Sequence, residues 1–493
     1  MSEPIRTDAQ VDHQVSLGVR LAYGVGSVSD GVKNVAFNAF LVLYYTTVLG
    51  LPGTLSGLAI FIALCVDAIT DPLVGSLSDN LQTRWGRRHP FMLLAAAPMA
   101  LCLYGLFTPP SDLSDLGLFT WLTSFAIGVR FFLTLYMVPS GAMAPEMTTH
   151  YDERTTLNSF RWLLGWMGSL TLASAGWFYF LADSGDQIGE GRLEASNYPA
   201  IGAFAGCMVF LAITVSTLGT AKVIPRLRQS QAQTRRRLFS FSRFMREIRT
   251  ALNSHSLRVL LGSSIFAAAG LGVGEVLGTY MNTWFWEFRS EQLGILTVMQ
   301  IVPLLVGVSM VRPLSQKMDK RTASIRLMLF AVFWGPLPVV LRLLDLAPEN
   351  GNPALLVMIM AHGMFLVAAL IQIGILSGSM VMDAIDENEF ETGERHEGLF
   401  VSTLSFTAKA VSGFGSFLGG MILDLIRFPM GEAAAVGEVP SDAIARLGVV
   451  AGPGLILFYL CSIAFLSRLR LTRQRYDEIA TTLEARRKSE GSS

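Results

Sequence analysis

Apolar residues fall along this chain in long runs of roughly twenty, each bounded by charge, glycine or proline. A helix of that length spans the roughly 30 Å hydrocarbon core of a bilayer, and within lipid only a helix or a closed barrel satisfies its own backbone. The pattern predicts helices over 17–48, 55–80, 91–108, 117–144, 158–182, 199–221, 256–287, 293–312, 325–345, 354–382, 398–426 and 448–468. Segments 17–48 and 256–287 carry embedded polar groups and are less hydropathic than 91–108, but they are kept because the count must also satisfy orientation.

With both ends on the cytoplasmic side, the inside loops hold Arg84, Arg87, Arg88, the run from Lys222 to Arg249, Arg312 to Arg326, and the tail from Arg468 to Lys488. The outside loops hold little more than Arg192, Arg289, Arg427 and Arg446. This excess of inside cations fits every loop at once, which an odd count would spoil. The expected fold class is therefore an all-α membrane protein of twelve transmembrane helices with cytoplasmic N- and C-termini. The expected organisation is a tail over 1–16, a six-helix bundle over 17–222, a basic linker over 223–253, a second six-helix bundle over 254–470 and a tail over 471–493. The linker carries Arg235, Arg236 and Arg237, as is usual beside an inner leaflet. A faint internal echo links the loop after the second helix of each half, from Gly75 to Arg88 and from Ser315 to Arg321. Two weakly symmetric halves suit a transporter with a site near the bilayer midplane.

Composition adds that 51% of residues are hydrophobic and only 15% charged, with a net charge of +0, so no nucleic-acid partner is indicated. Cys65, Cys102, Cys207 and Cys461 lie in apolar stretches without metal-like spacing and are expected to be buried apolar side chains. Met1 to Ser16 lacks a basic segment followed by an apolar core, so the first membrane helix directs insertion, and a cell inner membrane is expected. His89, His150, His255, His362 and His396 are scattered, no nucleophile motif occurs and the outside loops are short, which argues against an enzyme or a receptor. No cofactor is called for, and a monomer is expected, in contact with lipid, a small solute and a coupling cation.

Ionisable groups inside the apolar runs carry the chemistry, since each costs about 2.5 to 3.5 kcal/mol at the bilayer centre on insertion scales. Asp67 and Asp71 stand one turn apart on one helix face and repel unless a cation lies between them. With the Thr70 hydroxyl beside them they suit Na⁺, or one acid suits a proton; no other metal is expected. Pro72 frees a carbonyl one turn earlier. The competing reading has the acids paired with a basic residue of another helix and serving packing alone. Lys409 has no acid within one turn and is expected to reach the acids of the opposite half. Asp30 and Lys33 either neutralise each other or face a cavity, and Arg161, Tyr136 and Gln372 are weaker cavity candidates. Trp284 and Trp286 read as membrane-interface residues.

Tyr23-Gly-Val-Gly, Tyr44-Tyr-Thr, Asp67-Ala-Ile-Thr-Asp-Pro, Arg84-Trp-Gly-Arg-Arg-His-Pro, Tyr151-Asp-Glu-Arg, Asp383-Ala-Ile-Asp386 to Glu389, Gly393-Glu-Arg-His-Glu-Gly and Lys409 occur in that order. Over most of its length the chain thus resembles the glycoside-pentoside-hexuronide:cation symporters of the major facilitator superfamily, typified by the melibiose carrier. The resemblance implies a cation site of Asp67 and Asp71 joined by Thr134, with Thr70 where the melibiose carrier has asparagine. It implies a solute site containing Arg161 and Lys409, and a cytoplasmic gate drawn from Arg84, Arg87, Arg88, Asp383, Asp386, Glu389 and Arg395. Gly31, Met137, Gly141 and Gly374 stand where that carrier has sugar-binding carboxylates and tryptophans. A wider, less polar cavity is expected from those losses.

Two functions follow as expectations. The first is symport of a sugar or glycoside with Na⁺ or H⁺ by alternating access. The second keeps the mechanism with a bulkier amphipathic solute, lysolipid-like or steroid-like. A proton-exchange exporter ranks behind both.

Overall fold

The computed structural model describes residues 15–490 except 82, 149–150, 184, 186–187, 225–251, 394–396, 430–435 and 437–438. The linker's basic run, nearly all of the N-terminal tail, and Arg395 thus lie outside the described residues. Nine helices among the described residues are long and apolar enough to cross a membrane. They are α2 (Gly53–Asn80), α3 (His89–Leu106), α4 (Asp115–Met147), α6 (Ala195–Val223), α7 (His255–Phe285), α8 (Ser290–Lys317), α9 (Lys320–Leu343), α10 (Pro353–Thr392) and α12 (Ser441–Leu466). Three more helices interleave with these. α1 runs through the segments Leu17–Val25, Val28–Val35, Ala36–Leu41 and Leu43–Val48; α5 covers Tyr151–Ala175 and continues through Gly176–Phe180; α11 covers Glu397–Leu425.

Local chemistry sets the ends. Ser114 caps α4 by accepting from the Gly117 amide at 3.3 Å, and Ser254 caps α7 from Leu257 at 3.3 Å. α10 begins with Asn352 accepting from Ala354 and Pro353 in its first turn. It ends at Gly393, whose φ of 76° closes the helix on the Glu389 carbonyl. This helix outruns its apolar stretch, expected to stop at 382, because Asp383 to Thr392 keep helical backbone bonding beyond the hydrophobic segment. The tail after 471 is also helical: α13 (Arg473–Glu490) lays Ile479 and Leu483 into a cluster with Leu257, Met380, Ile385 and Leu466.

Helices pack as a bundle in which α1 lies against α5 and α6, α3 against α4 and α6, α7 against α11 and α12, and α10 against α8 and α9. The most extensive seam between the first six helices and the last six joins α2 to α11. It is close because glycine lines it: a Cβ on Gly57 would lie 2.7 Å from the Phe417 Cα, and one on Gly420 2.0 Å from the Gly53 carbonyl oxygen. At that same end the Asp424 carboxylate accepts from the Gly53 and Thr54 amides at 3.0 and 2.7 Å, capping α2 from the opposite half. Tyr280 accepts from Thr47 at 3.2 Å, Asp183 accepts from the Ser290 amide at 3.2 Å, and buried Arg192 donates to the Phe288 carbonyl.

Two expectations, on the tryptophans and the cysteines, are corrected here. Trp284 and Trp286 are buried, with Trp284 stacked on Tyr280 at 5.0 Å and edge-on to Phe428 at 5.1 Å, so they build core rather than mark an interface. Cys207 is exposed and the other three cysteines are half-buried. The Thr70 hydroxyl donates to the Asp67 carbonyl at 3.1 Å, and its oxygen keeps its capacity to accept.

Candidate functional site

A cavity of about 990 Å³ lies among α1, α2, α4, α5, α7 and α11, near the upper end of small-molecule pocket sizes. Its polar floor is built by three helices. α2 brings Asp67, buried, and Asp71, half-buried, to one face. α4 brings the Thr134 hydroxyl within 2.7 Å of Asp67 Oδ1 and 2.9 Å of Asp71 Oδ1, so its single proton bridges the two acids. α11 brings Lys409, whose Nζ bonds Asp71 Oδ2 and lies 3.0 Å from Asp67 Oδ2. The ammonium thus stands in the place of a small cation held between two carboxylates.

Arg130 of α4 completes the group. Its guanidinium lies 3.6 Å from Asp67 Oδ2 and 5.0 Å from the centroid of the Phe37 ring. Two carboxylates and two cations therefore share one buried volume, an arrangement in which the loss of any one partner leaves an uncompensated charge. Arg130 stands inside the apolar run Phe125–Phe132, and the rule that marked Asp67 and Lys409 marks it equally. Sequence reading passed over it, and over Glu275, which sits in the apolar stretch of α7 and lines the same cavity.

The wall follows α1 and α5. Asp30 and Lys33 pair at 3.2 Å, and both line the cavity, so neutralisation and a cavity position hold together. Arg161 lines it too, held by Tyr23 at 3.1 Å and Ser27 at 3.2 Å, both of which accept from its guanidinium. Met137 lines it as expected. Gly31 also lines it and explains why no larger residue stands there: a Cβ would lie 2.0 Å from the Gly165 carbonyl oxygen of α5.

Four cavity candidates lie elsewhere. Tyr136 is buried and donates to Ser216 at 2.7 Å, which ties α4 to α6. Gly141 is outside the lining; its open position receives the Arg161 guanidinium, 3.2 Å from where a Cβ would sit. Gln372 is buried in α10 and Gly374 faces open space, and neither lines the cavity, to which α10 contributes no residue. Indoles and carboxylates reach the cavity from positions other than those four. Trp162 and Trp166 of α5 line it, and so do Asp30 and Glu275.

Four of the gate candidates have polar contacts among the described residues. Arg87 pairs with Glu146, and Arg88 with Glu146 at 2.7 Å and Asp79 at 3.5 Å, tying the end of α2 to that of α4. Asp383 pairs with Lys320 at 2.6 Å, and Asp386 accepts from Tyr476 of α13 at 3.2 Å. Arg84 is exposed, and Glu389 lies in the last turn of α10.

The MFS/sugar transport protein family matches residues 22–473. The chain is 25% identical to the isoprimeverose transporter of Lactiplantibacillus pentosus, over 86% of this chain and 83% of that protein. It is 24% identical to the uncharacterized symporter YnaJ of Bacillus subtilis (strain 168), over 96% of each. Among solved structures, a bacterial homologue of the human lysosomal transporter Spinster, in an inward-facing and unoccupied conformation, superposes with a TM-score of 0.63 at 14% identity, covering 91% of this chain and 95% of that one. These relatives and neighbours are membrane transporters, and the all-helical arrangement is the major facilitator fold. The match across nearly the whole chain shows that this protein belongs to the MFS/sugar transport protein family, and its curated relatives include symporters, in keeping with the resemblance to the glycoside-pentoside-hexuronide group.

Proposed function

We propose that this protein carries a sugar or glycoside across a cell inner membrane together with a cation, Na⁺ or H⁺, by alternating access. The observation that carries the reading is the Lys409 ammonium bridging Asp67 and Asp71 beside Thr134. The carboxylates come from α2 and the ammonium from α11, so a cation arriving at these oxygens competes with the link between the two halves. Cation binding frees Lys409, and the freed C-terminal helices re-register against the loaded N-terminal helices. Solute and ion then cross as one event, because either alone leaves the charge cluster or the cavity unmatched.

In this reading α1, α5 and α11 also cross the membrane, making twelve crossings with both termini cytoplasmic. Their low hydropathy has a direct cause: among them they present Asp30, Lys33, Asn34, Asn158, Arg161 and Lys409 to the cavity. The parts over 17–222 and 254–470 act as rocking bodies joined by the linker over 223–253, and the carrier works as a monomer. Contacts across the halves gather where Asp424 caps α2, which supports a state closed at that end.

The test is solute-driven entry of radioactive Na⁺, with internal pH recorded in parallel, in proteoliposomes of wild type and Asp71→Asn. Cation entry driven by neutral glycosides and abolished by the substitution is expected. Solute transport that is independent of cation in both proteins would overturn the proposal.

A further inference from the structure

Eight ionisable side chains line the cavity: Asp30, Lys33, Asp67, Asp71, Arg130, Arg161, Glu275 and Lys409. Seven are engaged, Asp30 with Lys33, the two floor acids with Lys409 and Arg130, and Arg161 with Tyr23 and Ser27. Glu275 is exposed to the cavity, and among the described residues it makes no hydrogen bond and no ion pair. A carboxylate at this depth without a partner is expensive to keep for packing alone. A second feature lies on α5. Asn158, Trp162 and Trp166 recur every fourth residue and form one stripe along the cavity wall. Trp162 is 73% and Trp166 39% exposed, so two indoles forgo the burial that large aromatic side chains usually gain.

We infer that Trp162 and Trp166 are a stacking platform for the apolar face of a pyranose-type ring, and that Glu275 accepts hydrogen bonds from hydroxyls of the same molecule. This deepens the glycoside reading and rests on it. The chemistry on both sides fits one ligand class. A sugar ring carries C–H groups on one face, which suit the negative face of an indole, and hydroxyls around its edge, which suit a carboxylate with two free oxygens. The platform belongs to the N-terminal helices and Glu275 to α7, so a bound ring joins the two halves at a point where the protein alone does not. Glu275 also sets a limit on the cargo. The cavity's cations are already paired, so an unpaired carboxylate repels an acidic sugar and favours a neutral one.

The experiment is solute counterflow in proteoliposomes of the full-length carrier. The neutral probes are isoprimeverose, methyl β-xyloside and methyl β-glucoside; the acidic probe is methyl β-glucuronide; the amphipathic probe is lysophosphatidylcholine. Wild type is expected to exchange at least one neutral probe and to exclude methyl β-glucuronide. Glu275→Ala raises KM for the exchanged neutral probe about tenfold, and Glu275→Gln, whose amide oxygen still accepts, raises it less. Trp162→Ala gives a similar rise, and Trp162→Phe, which restores an aromatic face, recovers most of it. Unfolding midpoints near the wild-type value keep these changes attributable to binding, and Glu275→Gln with Trp162→Phe still report on the site if an alanine variant does not fold. Unchanged KM in the variants, or preferred exchange of methyl β-glucuronide, overturns this inference and leaves glycoside symport standing. Exchange of lysophosphatidylcholine with no exchange of any glycoside overturns both.

Discussion

The two ends of the chain contribute to the cavity very unequally. α1, α2, α4 and α5 supply most of its walls and floor, while the later helices supply Glu275 from α7 and Lys409, Ser412 and Ser416 from α11. The two C-terminal charges behave in opposite ways. Lys409 is bonded to both floor acids, and Glu275 is bonded to nothing among the described residues. In the proposed mechanism the N-terminal helices hold most of the ion and solute chemistry, and the C-terminal helices sense it, through one contact already made and one still open. A carrier built this way binds with one body and reports occupancy to the other, which is what coupling two bodies to one cargo requires.

Removing the contact already made should have the largest effect. Lys409→Met leaves Asp67 and Asp71 with only Arg130 opposite them, and breaking a buried charge pair costs about 3 to 5 kcal/mol, equivalent to more than a hundredfold. Cation-driven solute accumulation in proteoliposomes is expected to fall by about that factor. Cation binding, read as Na⁺- or proton-dependent protection of the carrier against heat, is expected to survive, since its oxygen ligands lie on the N-terminal helices. Loss of both would show that the C-terminal helices are part of the ion site and would break the comparison.

Arg130→Met tests the other cation. Arg130 comes from the same half as Asp67, so its removal should destabilise the N-terminal helices by a few kcal/mol, seen as a lower unfolding midpoint, instead of uncoupling solute from ion. A stable but uncoupled variant would place Arg130 in the transport step.

Asp424→Asn weakens the cap that one half places on the other. The asparagine oxygen can still accept one amide, so the expected loss is about 1 kcal/mol. Cysteines introduced at exposed positions on the closed face should label a few-fold faster with a membrane-impermeant maleimide. Unchanged labelling would mean that the glycine seam of α2 and α11 alone holds that end shut.

Much of this was legible in the sequence. Asp67, Asp71 and Lys409 stand out because charge in an apolar run demands a partner, and the partners proved to be one another. Arg130 and Glu275 obey the same rule and were within its reach. Side-chain direction was not. Tyr136 sits on a cavity helix and faces away from the cavity, Gln372 and Gly374 sit on a helix that does not line it, and only packing against neighbours decides helix placement and rotation. The indoles on α5 escaped because only the positions of a relative's site were compared, and Trp162 and Trp166 are not among them.

The smallest effect concerns α13, outside the membrane. The Tyr476 hydroxyl donates to Asp386, and its ring lies 5.3 Å from Lys320, which pairs with Asp383. Burial first, and then the nearby Asp386 carboxylate, push the phenol up to about 12 from its ordinary 10.0. A group that holds its proton more tightly when docked stabilises docking fully below pH 10 and loses that contribution as pH rises towards 12. Limited proteolysis of the tail should therefore accelerate between those values in wild type. Tyr476→Phe lacks the titrating proton and should show a weaker rise, with a slightly faster rate at neutral pH from the lost hydrogen bond. Every other group is common to both proteins, so the difference between the two profiles belongs to the phenol. Superimposable profiles would mean that Ile479 and Leu483 alone hold α13 in place.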